Sequence, residues 1–246
     1  IAYLVDCYDG EVKTNNLKDY FLFIIFFPQL IAGPIVKFNN MMPQFNSSEN
    51  KSINSKNILL GLTIILIGLF KKIVLADNMS VNVDYGFNNF DSINFIESWI
   101  TSFSFTFQIY FDFSGYVDMA TGSALLFNVL LPKNFDSPFK ATSLINFWKC
   151  WHITLFNFLM NYLYFPILRS LSKITFLKAM LVTLVVFIIS GIWHGPTHGY
   201  IVFGILHGLG IVINHIFNKA NILKMNKFLS WLITITYINF TMIFFR

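Results

Sequence analysis

The sequence predicts an all-α, polytopic transmembrane helical bundle with re-entrant or broken helices. Three observations carry this. Of 246 residues, 55% are hydrophobic. Only 12% are charged, against roughly 25% in an ordinary soluble domain, so a water-facing surface is out of reach. The 30 phenylalanines are spread along the whole chain, and lipid is a better solvent for them than water. The lipid bilayer is thus the first partner implied. The formal charge of +5 fits lysines in cytoplasmic loops, and no basic stripe interleaved with aromatics points to nucleic acid. Cys7 and Cys150 stand far apart and fit neither a disulfide framework nor a metal spacing.

A spanning helix needs about 20 apolar residues. Windows near that length lie at 20–36, 58–76, 93–111, 176–195, 199–217 and 228–245. The stretch 112–131 carries Asp112 and Asp118 and continues the preceding helix after a break near Gly115. A shorter run, 155–168, holds Pro166 and reads as re-entrant or interfacial rather than spanning. Basic loops stay cytoplasmic, which gives an orientation. Residues 1–19 (Asp6, Asp9, Glu11 and Asp19 against Lys13 and Lys18) read as outside, as do 77–97 (Asp77, Asp84, Asp91 and Glu97, without lysine). Residues 37–57 (Lys37, Lys51 and Lys56 against Glu49) and 133–149 (Lys133, Lys140 and Lys149 against Asp136) read as inside. Arg169, Lys173 and Lys178 are inside too, which favours a re-entrant 155–168; Lys219, Lys224 and Lys227 follow. Lys71 and Lys72 fall towards the outer end of a helix and do not fit the pattern. No repeat is visible, and residues 1–246 read as one membrane domain whose two ends look cut from something longer.

Polar groups at membrane depth are costly, so each is a candidate for function. In GIWHGPTHGY (191–200) an apolar helix runs into Trp193 and His194, and Gly195–Pro196 breaks it. Freed backbone groups need protein or a watery cavity, which puts His194 at a cavity wall. Its imidazole suits proton transfer near neutral pH; a histidine capping the helix end stands beside that reading. His198 is four residues on, but Pro196 disturbs the shared face and no carboxylate completes a zinc site. In NFWKCWHITL (146–155), a helix would set Trp148 and His152 on one stripe, either as an interfacial aromatic belt or as a second polar site. In QIYFDFSGYVDMATG (108–122), Gln108–Asp112, Asp112–Tyr116 and Ser114–Asp118 are each four apart. The small residues Gly115, Ala120 and Gly122 favour a helix-packing segment in which the two carboxylates staple neighbouring helices. FFPQLIAGPI (26–35), broken by Pro28, Gly33 and Pro34, reads as a re-entrant turn lining a cavity.

Taken in order, eight blocks resemble the membrane-bound O-acyltransferase family: YLVDCYDG (3–10), FFPQLIAGPI (26–35), GLFKKIVLADN (68–78), QIYFDFSGYVDMATG (108–122), LPKNFDSPF (131–139), FWKCWHITL (147–155), GIWHG (191–195) and GILHG (204–208). The resembled branch contains alginate and peptidoglycan O-acetyltransferase subunits and the teichoic-acid D-alanyl transfer protein. The resemblance implies a tunnel through the bundle, with His194 as the catalytic histidine of the Trp-His-Gly context and His152 as a second catalytic histidine near the cytoplasmic mouth. His207 matches a third family histidine. Where the family often has Arg-Arg between its tryptophans, this chain has Lys149 and Cys150; Asn146, Met160–Tyr162 and Leu168–Ser170 also depart from the pattern, all around His152. The resemblance further implies no metal and no permanently bound cofactor. It implies an acyl-CoA or acyl-carrier thioester as donor, an extracytoplasmic glycan as acceptor, an extracytoplasmic transferase as partner, and the bacterial inner membrane as location. A transporter using Asp112 and Asp118 is the rival class, though it predicts repeat symmetry. A non-catalytic subunit of a glycan-modifying complex is the third.

Overall fold

A computed structural model describes residues 1–12, 16–30, 32–220 and 225–246, the side chains of residues 49 and 51 excepted. Lys13, Ile31, Lys224 and the side chains of Glu49 and Lys51, used in the charge and motif readings above, lie outside the described residues. Among the described residues every regular element is helical. The α-helices are α1 Ala2–Tyr8, α2 Leu17–Ile25, α3 Phe38–Phe45, α4 Ser55–Leu69, α5 Asp77–Asn88, α6 Phe95–Leu125, α7 Leu144–Cys150, α8 Ile153–Leu159, α9 Phe165–Arg169, α10 Phe176–His194, α11 His198–Ala220 and α12 Lys227–Met242. Among the described residues, four helical stretches are long and apolar enough to cross a membrane: Ser55–Asn88, Phe176–His194, His198–Ala220 and Lys227–Phe245.

The described residues form two compact units, Ile1–Tyr85 with Phe107–Asn134, and Gly86–Thr106 with Phe135–Arg246. α4 and α5 join through a π-helical segment, Phe70–Ala76, into one helix of 34 residues. At 1.5 Å per residue that is about 51 Å, well beyond the hydrocarbon thickness, so an end must project into water. The polar end is α5, which carries Asp77, Asn78 and Asp84.

This long helix packs antiparallel on α6 through two glycine pairs. A Cβ on Gly61 would sit 2.7 Å from the Gly122 carbonyl oxygen, and one on Gly68 would sit 2.5 Å from that of Gly115. The expected break near Gly115 does not occur. α6 runs unbroken through it, because Gly115 serves close packing rather than a bend. Beside the glycines, Lys71 Nζ bonds Asp118 at 2.6 Å, and Lys72 Nζ bridges Asp112 and Asp77, each at 2.8 Å. The two carboxylates therefore staple helices, as their small neighbours suggested. The hydrogen bond along α6 from Ser114 to Asp118 is not made: the buried Ser114 hydroxyl has no hydrogen-bond partner among the described residues. The same pairs explain why Lys71 and Lys72 escape the loop-charge pattern, since they are neutralised within the helix pair.

The apolar window 20–36 is not one helix. α2 stops at Ile25, a short 3₁₀ turn takes Phe27–Gln29, and the chain turns back. The Gln29 side-chain amide donates to the Phe23 carbonyl, and Gly33 passes so close to Pro28 and Gln29 that no Cβ fits. This turn lines a cavity of about 350 Å³ with Phe23, Gln29, Gly33 and Pro34, as the proline and glycine pattern predicts. Its inner side packs on a core of Met41, Ala120, Ala124 and Val129.

Candidate active site

The second unit is built on the α10–α11 hairpin. Glycines let the two helices touch: no Cβ would fit at Gly191 against the Tyr200 carbonyl, or at Gly204 against that of Phe187. The hairpin is antiparallel, and Lys219 Nζ lies 4.1 Å from the ring centre of Phe176, so the start of α10 and the end of α11 share one end. At the other end Gly195–Thr197 make the connection, with Gly195 extended at φ 162° and ψ 174°. His194 is the last residue of α10 and His198 the first of α11, the former half-buried and the latter exposed.

A second hairpin is laid against the first. α7 climbs α11 in two rungs: the Leu144 amide donates to Asn214 Oδ1 at 2.8 Å, and Trp148 Nε1 donates to His207 Nδ1 at 3.1 Å. The polypeptide then reverses at His152 and returns through α8, a π-helical segment Met160–Tyr164 and α9. Only six residues separate Arg169 from Phe176, so the returning limb ends where α10 begins. Residues 144–169 thus enter and leave at the same end of the α10–α11 hairpin.

The tip of this limb is His152. The helix expected across 146–155 stops at Cys150, so Trp148 and His152 do not share a stripe. His152 instead adopts a left-handed backbone, φ 44° and ψ 53°, a conformation that costs a non-glycine residue of order 1 kcal/mol and recurs at functional sites. Its side chain is buried, and His194 lies within electrostatic range of it. The family resemblance places His152 near the cytoplasmic mouth of the site. α7 runs along α11 and carries His152 towards the end of the hairpin where His194 lies. Trp148 and Trp151 are buried as well, so they form no interfacial belt.

Around His194 the walls are aromatic. Ring centres lie at 4.9 Å for Phe245, 5.0 Å for Trp193 and 6.2 Å for both Tyr200 and Phe203. Phe245 itself packs on Tyr200 and Phe203, each at 5.0 Å. One side of Trp148 faces a cavity of about 240 Å³, whose lining includes Lys149, Phe156, Tyr164, Phe187 and His215. His207 is fully buried. Sequence reading missed Phe203 and Phe245 as walls of this site, and Thr241, whose hydroxyl lies 2.9 Å from His207 Nε2. Phe203 stands four residues before His207, and that helical spacing was the available signal; Thr241 and Phe245 come from α12 and the turn after it and gave none. Among the described residues no group of three or more His, Cys, Asp or Glu side chains gathers as a metal would require.

The family model of the membrane-bound O-acyltransferases matches residues 5–246. The chain is 48% identical over 237 residues to a peptidoglycan O-acetyltransferase of Helicobacter pylori, covering 95% of this chain and 45% of that protein. It is 32% identical over 249 residues to a probable alginate O-acetylase of Pseudomonas aeruginosa, covering 100% and 46%. To a teichoic acid D-alanyltransferase of Streptococcus thermophilus it is 25% identical over 229 residues, covering 87% and 54%. The chain spans about half the length of the curated relatives it matches.

Proposed function

This chain belongs to the membrane-bound O-acyltransferase family, and we propose that it moves an acetyl group from a cytoplasmic thioester to a glycan outside the bacterial inner membrane, with His194 as general base. The observation that carries this reading is the approach of two histidines: the tip of the 144–169 limb brings the buried His152 within electrostatic range of the half-buried His194 where α10 breaks. A neutral hydroxyl is a poor nucleophile at pH 7 and needs a base beside it. In the proposed step the acceptor oxygen attacks the thioester carbonyl and its proton passes to His194. The carbon–sulfur bond breaks, and the leaving thiolate takes up a proton. His152 orients the donor or relays that proton. The aromatic walls keep water away and strengthen each polar contact in the site. Acyl-CoA or an acyl-carrier thioester serves as substrate, and no resident cofactor is called for.

Acetyl is favoured over D-alanyl because the relatives at 48% and 32% identity bear O-acetyl names, and the one at 25% does not. Peptidoglycan is the acceptor favoured by the first of these, reached directly or through an extracytoplasmic partner transferase. The transporter alternative is weakened by Lys71 and Lys72, which already occupy Asp118 and Asp112. Membranes holding the full-length protein, given radiolabelled acetyl thioester inside and glycan outside, should yield label in an alkali-labile ester. Membranes that translocate label without forming an ester would overturn the enzymatic reading.

A further inference from the structure

His207 resembles a site histidine, yet its hydrogen bonds leave it nothing to do with protons. The indole of Trp148 can only donate, so its Nε1–H at 3.1 Å makes His207 Nδ1 an acceptor. A neutral imidazole carries one proton, which must then sit on Nε2. That nitrogen is 2.9 Å from Thr241 Oγ1. The hydroxyl gives its own hydrogen to the Ile238 carbonyl at 2.8 Å, and so accepts from His207. The chain of bonds runs one way, from Trp148 through His207 and Thr241 to a backbone carbonyl. It has no gap through which a proton could enter. Protonating Nδ1 would set two donors face to face in a fully buried place.

What the ring does instead follows from its neighbours. It ties α7 to α11 through Trp148, and α11 to α12 through Thr241. Trp148 is a wall of the 240 Å³ cavity. On another side, Phe203 lies 4.4 Å from the His207 ring centre. Phe203 and Phe245 in turn bound His194. We propose that His207 is a positioning residue, held as the neutral Nε2–H tautomer, that fixes the cavity wall at Trp148 in register with the aromatic cage of His194. The proposal rests on the reading of His194 as base.

Two measurements test it in the full-length protein. With nitrogen-15 histidine, and His207→Gln used for assignment, the His207 signals should show one bare and one protonated nitrogen. They should stay unchanged between about pH 5 and pH 8, the range in which a free histidine titrates. Signals that move through this range would overturn the proposal. The second compares Thr241→Val, which keeps the shape but removes the acceptor, with Thr241→Ser, which keeps the hydroxyl. Misplacement of a site by about 1 Å costs on the order of a hundred-fold in rate. The valine variant should therefore lose about ten- to a hundred-fold in acyl transfer at normal protein level, and the serine variant should recover it. Full activity with valine would overturn the proposal, as would loss with both. A fully active His194→Gln would instead remove the base assignment, leaving the fixed tautomer of His207 and the Thr241 pair to be judged on their own readouts.

Discussion

Replacing Gly68 by alanine should destabilise the first unit, although the same change stabilises most helices. Alanine is favoured over glycine within a helix by roughly 0.5–1 kcal/mol, so without tertiary contact the substitution would be a gain. Here the added methyl would lie 2.5 Å from the Gly115 carbonyl oxygen and 2.9 Å from the Met119 amide nitrogen. Both are backbone atoms and cannot rotate away. Ordinary contact begins at 3.4 Å, so the two helices must part by about 0.9 Å, which overpacking data place at about 1–3 kcal/mol. The parting also strains the ion pairs beside the glycines, Lys71–Asp118 at 2.6 Å and Lys72–Asp112 at 2.8 Å. The net loss is about 1–2 kcal/mol, since the propensity gain offsets part of it. For a chain of this size each kcal/mol moves the midpoint by roughly 2–4 °C, so heating in mild detergent should show a fall of roughly 2–8 °C. Gly61→Ala should act in the same direction and less strongly, its methyl being 2.7 Å from the Gly122 oxygen. A Gly68→Ala protein as stable as the parent, or more so, would refute the close approach of the two helices.

Lys71→Met leaves Asp118 without its partner at membrane depth and should lower the yield of folded protein; adding Asp118→Leu should restore most of it, and equal yields for parent and single variant would dismiss the pair as structural. His152→Asn keeps a residue that tolerates the left-handed backbone and should still fold, while acylation, read as alkali-labile ester, falls about ten- to a hundred-fold; full activity would reduce His152 to a turn residue. Cysteines at Asn89 and Asp136, both exposed, should divide in intact cells: an impermeant reagent labels the first and spares the second, and the reverse would sink the lysine-based orientation.

Much of this was legible in the sequence because membrane depth leaves few choices. Apolar length found α10, α11 and α12, and the prolines and glycines of 26–35 marked a turn that does line a cavity. The carboxylates at Asp112 and Asp118 were readable as staples from their small neighbours, but their partners were not, since pairing with Lys71 and Lys72 depends on the helix register. Helical periodicity failed at Cys150. It carried the helix on through His152, because a left-handed reversal at a non-glycine residue has no local sequence signature. The closeness of His152 to His194 was hidden for the same reason. It arises from how α7 runs along α11, a tertiary fact fixed by Asn214 and His207 on the far side of the contact.

The account stands most directly on His194→Gln in the full-length protein. Glutamine keeps much of the size and hydrogen bonding of histidine but cannot take the acceptor's proton, and loss of a general base costs about a hundred- to ten-thousand-fold in rate. A strain carrying this variant as its sole copy, with protein level and membrane insertion matched to the parent, should lose nearly all alkali-labile acyl ester from its envelope glycan. Near-normal ester content would show that His194 only caps α10, and the proposed mechanism would be wrong.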